Sequence, residues 1–216
     1  MKLMRVDRIL IADDHVVVRT GLRAVMKDMY PFAQFDEAVN GARVMELVKS
    51  NDYNLIVLDI TMPETDSIAL VTDLFAHKEN SRVLIFSMNQ ETLYAKRYMK
   101  MGVLGYLHKE SEGDEIRKAI GSVLNGTIYM SPNLKKFLYE DMLQRRTDNP
   151  FEKLSSREIE IAKYLLRGYS HSEIKKTLNL HSSTIGTHKI RFFEKLKIKN
   201  IFELRELARI YQLDLH

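Results

Sequence analysis

Four short apolar runs in the first half of the chain each deliver a polar group at their C-terminal end, and few folds accommodate that arrangement. Ile9-Leu10-Ile11-Ala12 runs into Asp13-Asp14, Leu55-Ile56-Val57-Leu58 into Asp59, and Val83-Leu84-Ile85-Phe86 into Ser87; the run from Val103 to Leu107 stops just short of Lys109. Runs this short suit strands, and those at 55–58 and 83–86 have the unbroken apolar character of central strands buried on both faces. Strand patterns at 8–12, 34–39, 54–58, 82–86 and 103–107 alternate with helical apolar spacing at 14–28, 41–51, 65–78, 91–101 and 111–125. Such β/α units predict a doubly wound, five-stranded parallel α/β sheet with right-handed crossovers and helices on both faces. In a sheet of that kind ligands bind beyond the C-terminal strand ends, so the polar groups are gathered in one place.

The pattern changes after Gly126, which reads as a helix stop. Ser131-Pro132 reads as a new start, a serine cap followed by proline at the first helical position. Residues 132–145 form a helical pattern with Leu134, Leu138 and Met142 on one stripe, and Thr147-Asp148-Asn149-Pro150 is a cluster of helix breakers. These signals predict a first domain at 1–126, a connecting segment with its own helix at 127–150, and a second domain at 151–216. The second domain opens with Leu154-Ser155-Ser156-Arg157-Glu158, where Ser155 and Glu158 have the spacing of a capping box. Its first helix runs to Gly168 and a second fits Ser170 to Leu178. A third starts after Leu180, capped by His181, Ser182 or Ser183, and runs to about Leu196; a fourth spans about 201–212. A small all-α module with a tight turn between its second and third helices suggests a helix-turn-helix.

Charge separates the two halves. Residues 1–130 hold 16 Lys+Arg against 18 Asp+Glu, whereas residues 151–216 hold 13 against 8. A basic terminal domain suits a polyanionic partner. The lack of cysteine excludes a disulfide framework or a thiolate metal site. Met1 to Arg8 has no apolar signal core, and no apolar run approaches the ~20 residues of a membrane helix. The expectation is a cytoplasmic protein with no membrane partner.

Three aspartates converging on strand ends repel one another unless a hard cation neutralises them, and carboxylates with backbone oxygens suit Mg²⁺. Asp59 is then placed as a nucleophile, since a carboxylate can take a phosphoryl group. Lys109 would balance charge on the transferred oxygens, and Ser87 would hydrogen-bond one of them.

Asp13-Asp14, then Asp59-Ile60-Thr61-Met62-Pro63 with Asp66, then Ser87, then Gly105-Tyr106-Leu107-His108-Lys109 make residues 7–125 resemble the flavodoxin-like receiver domain of two-component response regulators. The resemblance implies Asp59 as phosphoacceptor and a sensor histidine kinase as partner. It implies Asp13, Asp14, Asp59 and the backbone carbonyl of Thr61 as Mg²⁺ ligands. Ser87 and Tyr106 become the switch pair, and Lys109 the phosphate-contacting lysine. Two residues depart from the pattern. Ser67 stands after Asp66 where glycine is usual, and since serine reaches positive φ only at a cost, this loop is expected to differ. Met88 follows the switch hydroxyl where a small residue is usual, and is expected to crowd the site and slow access to it.

Residues 154–213 resemble the LuxR-type helix-turn-helix of NarL/FixJ regulators through Leu154 to Glu158, Gly168, Glu173-Ile174, Leu178, Thr184-Ile185 with His188, and Lys195-Leu196. Both halves together imply a phosphorylation-controlled transcription factor, not an enzyme, that binds double-stranded DNA and is a homodimer when active. At ~100° per residue, Ile185, Phe192 and Leu196 share a core stripe. Ser183, Thr187, Ile190 and Glu194 lie opposite, flanked by Gly186 and Arg191. The DNA-contact candidates are Ser183, Thr184, Thr187, His188, Lys189, Ile190, Arg191 and Lys195, with Lys175, Lys176, Lys197 and Lys199 as further phosphate cations. The positions of Gly186 and Ile190 are usually basic in this family, which leaves the base-reading set poor in charge. That keeps open an alternative: a regulator acting mainly through protein–protein contacts, with weak or partner-dependent DNA binding. The fourth helix, with Ile201, Leu204, Leu207, Ile210 and Tyr211, either packs within the module or dimerises. A Mg²⁺ phosphohydrolase with an aspartate nucleophile would need a second acid two residues after Asp59, where Thr61 stands.

Overall fold

The computed structural model describes residues 6–143 and 149–213. The chain divides into two units, residues 1–143 and 144–216. In the first, strands β1 (Arg8–Ala12), β2 (Gln34–Ala38), β3 (Leu55–Leu58), β4 (Val83–Ser87) and β5 (Gly105–His108) form one parallel sheet in the order β2-β1-β3-β4-β5. Helices α1 (Val16–Met29), α2 (Gly41–Ser50), α3 (Ser67–His77), α4 (Glu91–Lys100) and α5 (Gly113–Leu124) connect them. Every residue of β3 and β4 is buried, so neither strand has a solvent face on which polar residues would alternate. One core joins Ile9, Ile11, Val57 and Phe86 of the sheet to Leu22 and Met26 of α1 and to Ile120 and Val123 of α5. Each such side chain contributes about 1.5–3 kcal/mol through burial. The strand order reverses between β1 and β3, which makes their C-terminal ends the crevice of this sheet.

Two strand boundaries differ from the apolar runs. Ser87 is the last residue of β4 rather than the residue beyond it. β5 starts at Gly105, because Val103 still closes the end of α4, its amide donating to the Tyr98 carbonyl at 3.2 Å. Gly105 itself is required by proximity: a Cβ there would lie 2.9 Å from Leu84 Cδ1 and 3.1 Å from Val123 Cγ2.

Helix α6 (Pro132–Leu143) belongs to this first unit and packs on α4. Ser131 caps it, its Oγ accepting from the Leu134 amide at 3.0 Å while donating to Glu91 Oε1 at 2.6 Å. Leu134 is fully buried, and Lys96 Nζ sits 2.6 Å from Oδ2 of the nearly buried Asp141. Just before the helix, the Tyr129 amide donates to Leu104 O at 2.7 Å and Tyr129 bridges to Gly105. The connecting segment is thereby stitched to the β5 edge. The Met142 side chain and residues 144–145, expected to extend this helix, lie outside the described residues.

The second unit holds a 3-10 turn at Pro150–Lys153 and helices α7 (Ser156–Leu166), α8 (His171–Leu178), α9 (Ser182–Leu196) and α10 (Ile201–Ile210). Pro150 is more than a breaker: it and Phe151 are buried, with Asn149 capping the turn through the Phe151 amide at 3.0 Å. Ser155 with Glu158 and Ser170 with Glu173 both form capping boxes. Asn179, at φ 49°, ends α8 in the left-handed conformation asparagine tolerates, and His181 occupies the cap position of α9 without a side-chain cap bond. Ile161, Ile174, Ile185, Phe192, Leu196, Leu204 and Leu207 form its core, all without exposed surface. Among the described residues, no helix is long and apolar enough to cross a membrane.

Candidate functional site

β1 and β3 are neighbours in parallel register, with Ala12 opposite Leu58, so the residues that follow them meet. Asp13 and Asp59 are each only 1% exposed, and Asp14 is half-buried. Lys109, directly after β5, reaches across the strand ends: its Nζ lies 2.6 Å from Asp13 Oδ2 and 2.8 Å from Asp59 Oδ2. Burial alone would lower the Lys109 pKa, but hydrogen bonds to Asp13 and Asp59 outweigh it and hold the ammonium above the usual lysine value. One ammonium against three carboxylates leaves the crevice negative. Asp13, Asp14, His15 and Asp59 each offer a ligand atom, all within 4.8 Å of one another. Three carboxylates at that spacing suit a small, hard divalent cation.

Thr61 does more than its assigned carbonyl implied. Its hydroxyl lies 2.8 and 2.9 Å from the two Asp59 oxygens, and its amide donates to Oδ1 at 3.1 Å. Sequence reasoning missed two supports. The His15 amide donates to Asp13 Oδ1 at 2.8 Å, and its ring Nδ1 lies 2.9 Å from Asp14 Oδ1. Arg19 donates to the carbonyls of Asp13 at 2.9 Å and Asp14 at 3.2 Å, while its Nε holds Glu37 at 2.8 Å. An arginine one turn into the helix that follows an acid pair was the available sign. Asp66 caps α3, its Oδ1 accepting from the Ile68 and Ala69 amides at 3.0 Å.

Ser87 has no exposed surface, and its Oγ accepts from the Asn89 amide at 3.2 Å. Tyr106 is not the surface aromatic that an isolated strand tyrosine usually is. It is fully buried, with its hydroxyl donating to Asn89 O at 3.1 Å. Burial pushes the phenol pKa well up, against the opposing hydrogen bond with Ser87. The Tyr106 ring lies 6.5 Å from that of Tyr98, whose hydroxyl is 2.9 Å from Ser67 Oγ inside the fold. The loop at Ser67 therefore differs in an unforeseen way. Ser67 is the first residue of α3 and needs no positive φ; the left-handed residue is Glu64, at φ 53°. Met88 is 52% exposed, with its carbonyl 2.9 Å from His108 Nε2.

In the second unit α9 buries Ile185, Phe192 and Leu196 and turns Ser183, Thr187, Ile190, Arg191 and Glu194 outward. Thr184, Gly186, His188 and Lys189 are half-buried on its flanks. Lys189 Nζ lies 5.4 Å from the centre of the Phe193 ring. Lys195 stays exposed, its side chain 42% accessible, with its ammonium 2.7 Å from Glu158 Oε2. Burial would raise the Glu158 pKa, but Lys195 and the Ser155 donors pull it down to about 2. His188 Nδ1 is buried without a hydrogen-bond partner among the described residues.

Comparison with known proteins agrees with both halves. Residues 9–121 match the response regulator receiver domain, and residues 152–208 match the bacterial regulatory proteins of the luxR family. The oxygen regulatory protein NreC of Staphylococcus carnosus is 28% identical over 208 residues, covering 93% of this chain and 96% of the relative. The response regulator GacA of Pseudomonas aeruginosa is 29% identical over 202 residues, covering 93% and 94%. In fold the chain is similar to RcsB from Salmonella enterica serovar Typhimurium bound to promoter P1flhDC with the phosphomimetic BeF3⁻. The TM-score is 0.69 at 20% identity, over 96% of this chain and 99% of that one. The chain belongs to the response regulators that join a receiver domain to a LuxR-type DNA-binding domain, a family of transcription regulators rather than enzymes.

Proposed function

We propose that this response regulator is switched by phosphorylation of Asp59. The observation that carries the reading is the Asp59 carboxylate itself: 1% exposed, 2.8 Å from Lys109 Nζ, and within a cluster that includes Asp13 and Asp14. Asp13, Asp14 and Asp59, with the Thr61 backbone carbonyl, would hold Mg²⁺, which when bound offsets the charge of the incoming phosphoryl group. An Asp59 oxygen attacks the phosphorus of a phosphohistidine on a sensor kinase. The P–N bond breaks, an acyl phosphate forms, and the imidazole leaves with a proton. The product carries about −1.5 to −2 charges and new acceptor oxygens. Lys109 then pairs with those oxygens, and Ser87 donates to one of them.

Ser87 moving toward the phosphoryl group leaves the inward Tyr106 free of its hydroxyl neighbour and favours one arrangement of β4, α4 and β5. α4 is tied to α6 by Lys96–Asp141 and by Glu91–Ser131, so this change reaches the connecting helix. The outcome is a homodimer on double-stranded DNA in the cytoplasm, with α9 of each copy in a major groove. RcsB on its promoter supports that output by analogy of fold. The test is Asp59→Asn with a small-molecule phosphodonor and Mg²⁺: phosphate incorporation should vanish, and undiminished incorporation refutes the site. A second reading, action through protein contacts with weak DNA binding, is favoured by the exposed Ile190 and Glu194 of α9. Gel shifts with genomic fragments at two salt concentrations separate the two.

A further inference from the structure

We infer that α9 reads thymine methyl groups in the major groove rather than guanine or adenine edges. The inference rests on the reading above that α9 enters DNA, and it names what that helix recognises there. The residues exposed over the first turns of α9 are Ser182, Ser183, Thr187 and Ile190, the last three on one face with Gly186 beside Ile190. Ile190 is 61% exposed, an aliphatic side chain held in solvent. The Thr187 hydroxyl donates within the helix, to Ser183 O at 2.9 Å, so toward a base it can only accept, and its methyl is open to an apolar contact. A Cβ on Gly186 would have no neighbour within 4 Å, so a partner surface can approach the helix backbone beside Ile190.

Ser183, Thr187 and Ile190 include no group that reads purine edges; the outward arginine of α9, Arg191, lies one turn beyond Thr187 on the flank of that set. Guanine is read by arginine or lysine and adenine by asparagine or glutamine, each through paired hydrogen bonds. Lys189 Nζ lies over the Phe193 ring and the Lys195 ammonium pairs with Glu158, so both nearby ammonium groups already have a partner within this unit. The exposed cations lie outside that set: Lys175 and Lys176 on α8, Arg191 and Lys195 farther along α9, and Lys197 and Lys199 past its end. That is an arrangement for phosphates around an apolar centre. The only apolar group on a major-groove base edge is the thymine C5 methyl, so a T-containing step is the complement of Ile190 and the Thr187 methyl.

The experiment starts from a random duplex pool bound by the full chain in Mg²⁺ and beryllium fluoride, followed by thymine-to-uracil replacement in the selected sites. Selection should enrich positions holding thymine. Removing a contacted methyl should weaken binding about four-fold, the equivalent of one buried carbon. Ile190→Ala should shrink the thymine-over-uracil difference to what the Thr187 methyl supplies, while Ile190→Val keeps it, and the slope of affinity against salt should stay that of the wild type. Sequence-specific binding that is indifferent to uracil, or an enriched guanine whose loss costs more than any methyl, overturns the inference and leaves DNA binding intact. Binding no tighter to the selected pool than to the starting pool overturns the reading on which it rests, and the inference with it.

Discussion

The acidic crevice of the first unit and the outward face of α9 in the second are both built to meet a partner, but by opposite means. Asp13, Asp59 and Ser87 have almost no exposed surface and the Lys109 side chain only 8%, and each is held by at least one contact to another polar group. Ser183, Thr187 and Ile190 stand in solvent, and among the described residues no side chain outside their own helix hydrogen-bonds them. Phosphoryl transfer requires its groups aligned before the donor arrives, so folding must bear the cost of ordering them. A recognition face is completed by its ligand. The crevice is therefore described by its internal contacts, the face by its exposure and by the charges around it.

Lys109 is where that contrast breaks most visibly. Lys109→Met leaves Asp13 and Asp59 buried without their shared counter-ion, and losing one partner of a buried pair costs about 3–5 kcal/mol. The thermal midpoint should fall sharply in chelator, and Mg²⁺ should restore more of it in the variant than in the wild type. A variant as stable as the wild type in chelator would mean that internal charge balance does not hold the crevice together.

Glu158 tests whether such ordering is confined to the first unit. Its carboxylate, held by Lys195 and Ser155, sits at about 2 in the fold, against ~4.3 for an unperturbed glutamate. A depressed folded value stabilises above the unfolded one, and that contribution is lost as pH falls from ~4.3 through about 2. Glu158→Gln should cost about 1–3 kcal/mol at neutral pH, and the gap to the wild type should close across that acid window, followed by circular dichroism. A gap that stays constant with pH would show that the ion pair contributes nothing beyond shape.

A smaller effect is expected at Ser67. Its hydroxyl partner is Tyr98, which lies against Tyr106. Ser67→Ala should destabilise by about 0.5–1.5 kcal/mol. The loss should not add to that of Tyr98→Phe, because both remove one hydrogen bond. Full additivity in a double-mutant cycle would show that the two hydroxyls are energetically independent.

The strand runs made the sheet legible. Residues buried on both faces must be apolar, and the polar groups at their ends mark one edge of a parallel sheet whatever the details of packing. The same rule misplaced the start of β5, because Val103 is buried like a strand residue while its amide closes the α4 terminus and does not join the ladder. Ser67 was misread because a family position usually held by glycine suggested backbone strain, whereas here the hydroxyl has a partner thirty-one positions away that no local pattern announces. Arg19 and the Thr61 hydroxyl escaped for a related reason: their roles depend on a turn geometry that brings side chains back onto the acids. On α9, helical periodicity separated core from exposed residues, but it did not show that Lys195 is drawn to Glu158, since that pair joins two helices.

Gly186→Ala carries the smallest effect and gives the finest distinction. Glycine in an exposed helix is about 1 kcal/mol less favourable than alanine, and a methyl added here meets no atom within 4 Å. The second unit should gain about 0.5–1 kcal/mol, read as a rise in its unfolding midpoint. If the gap beside Ile190 lets a base edge come close to the backbone, that methyl stands in the way, and affinity for selected duplexes should fall while stability rises. Opposite movements of the two quantities would identify the glycine as a cost borne for the ligand. If affinity holds or improves along with stability, no close approach occurs at Gly186, and contact on this face is left to the Ile190 and Thr187 side chains.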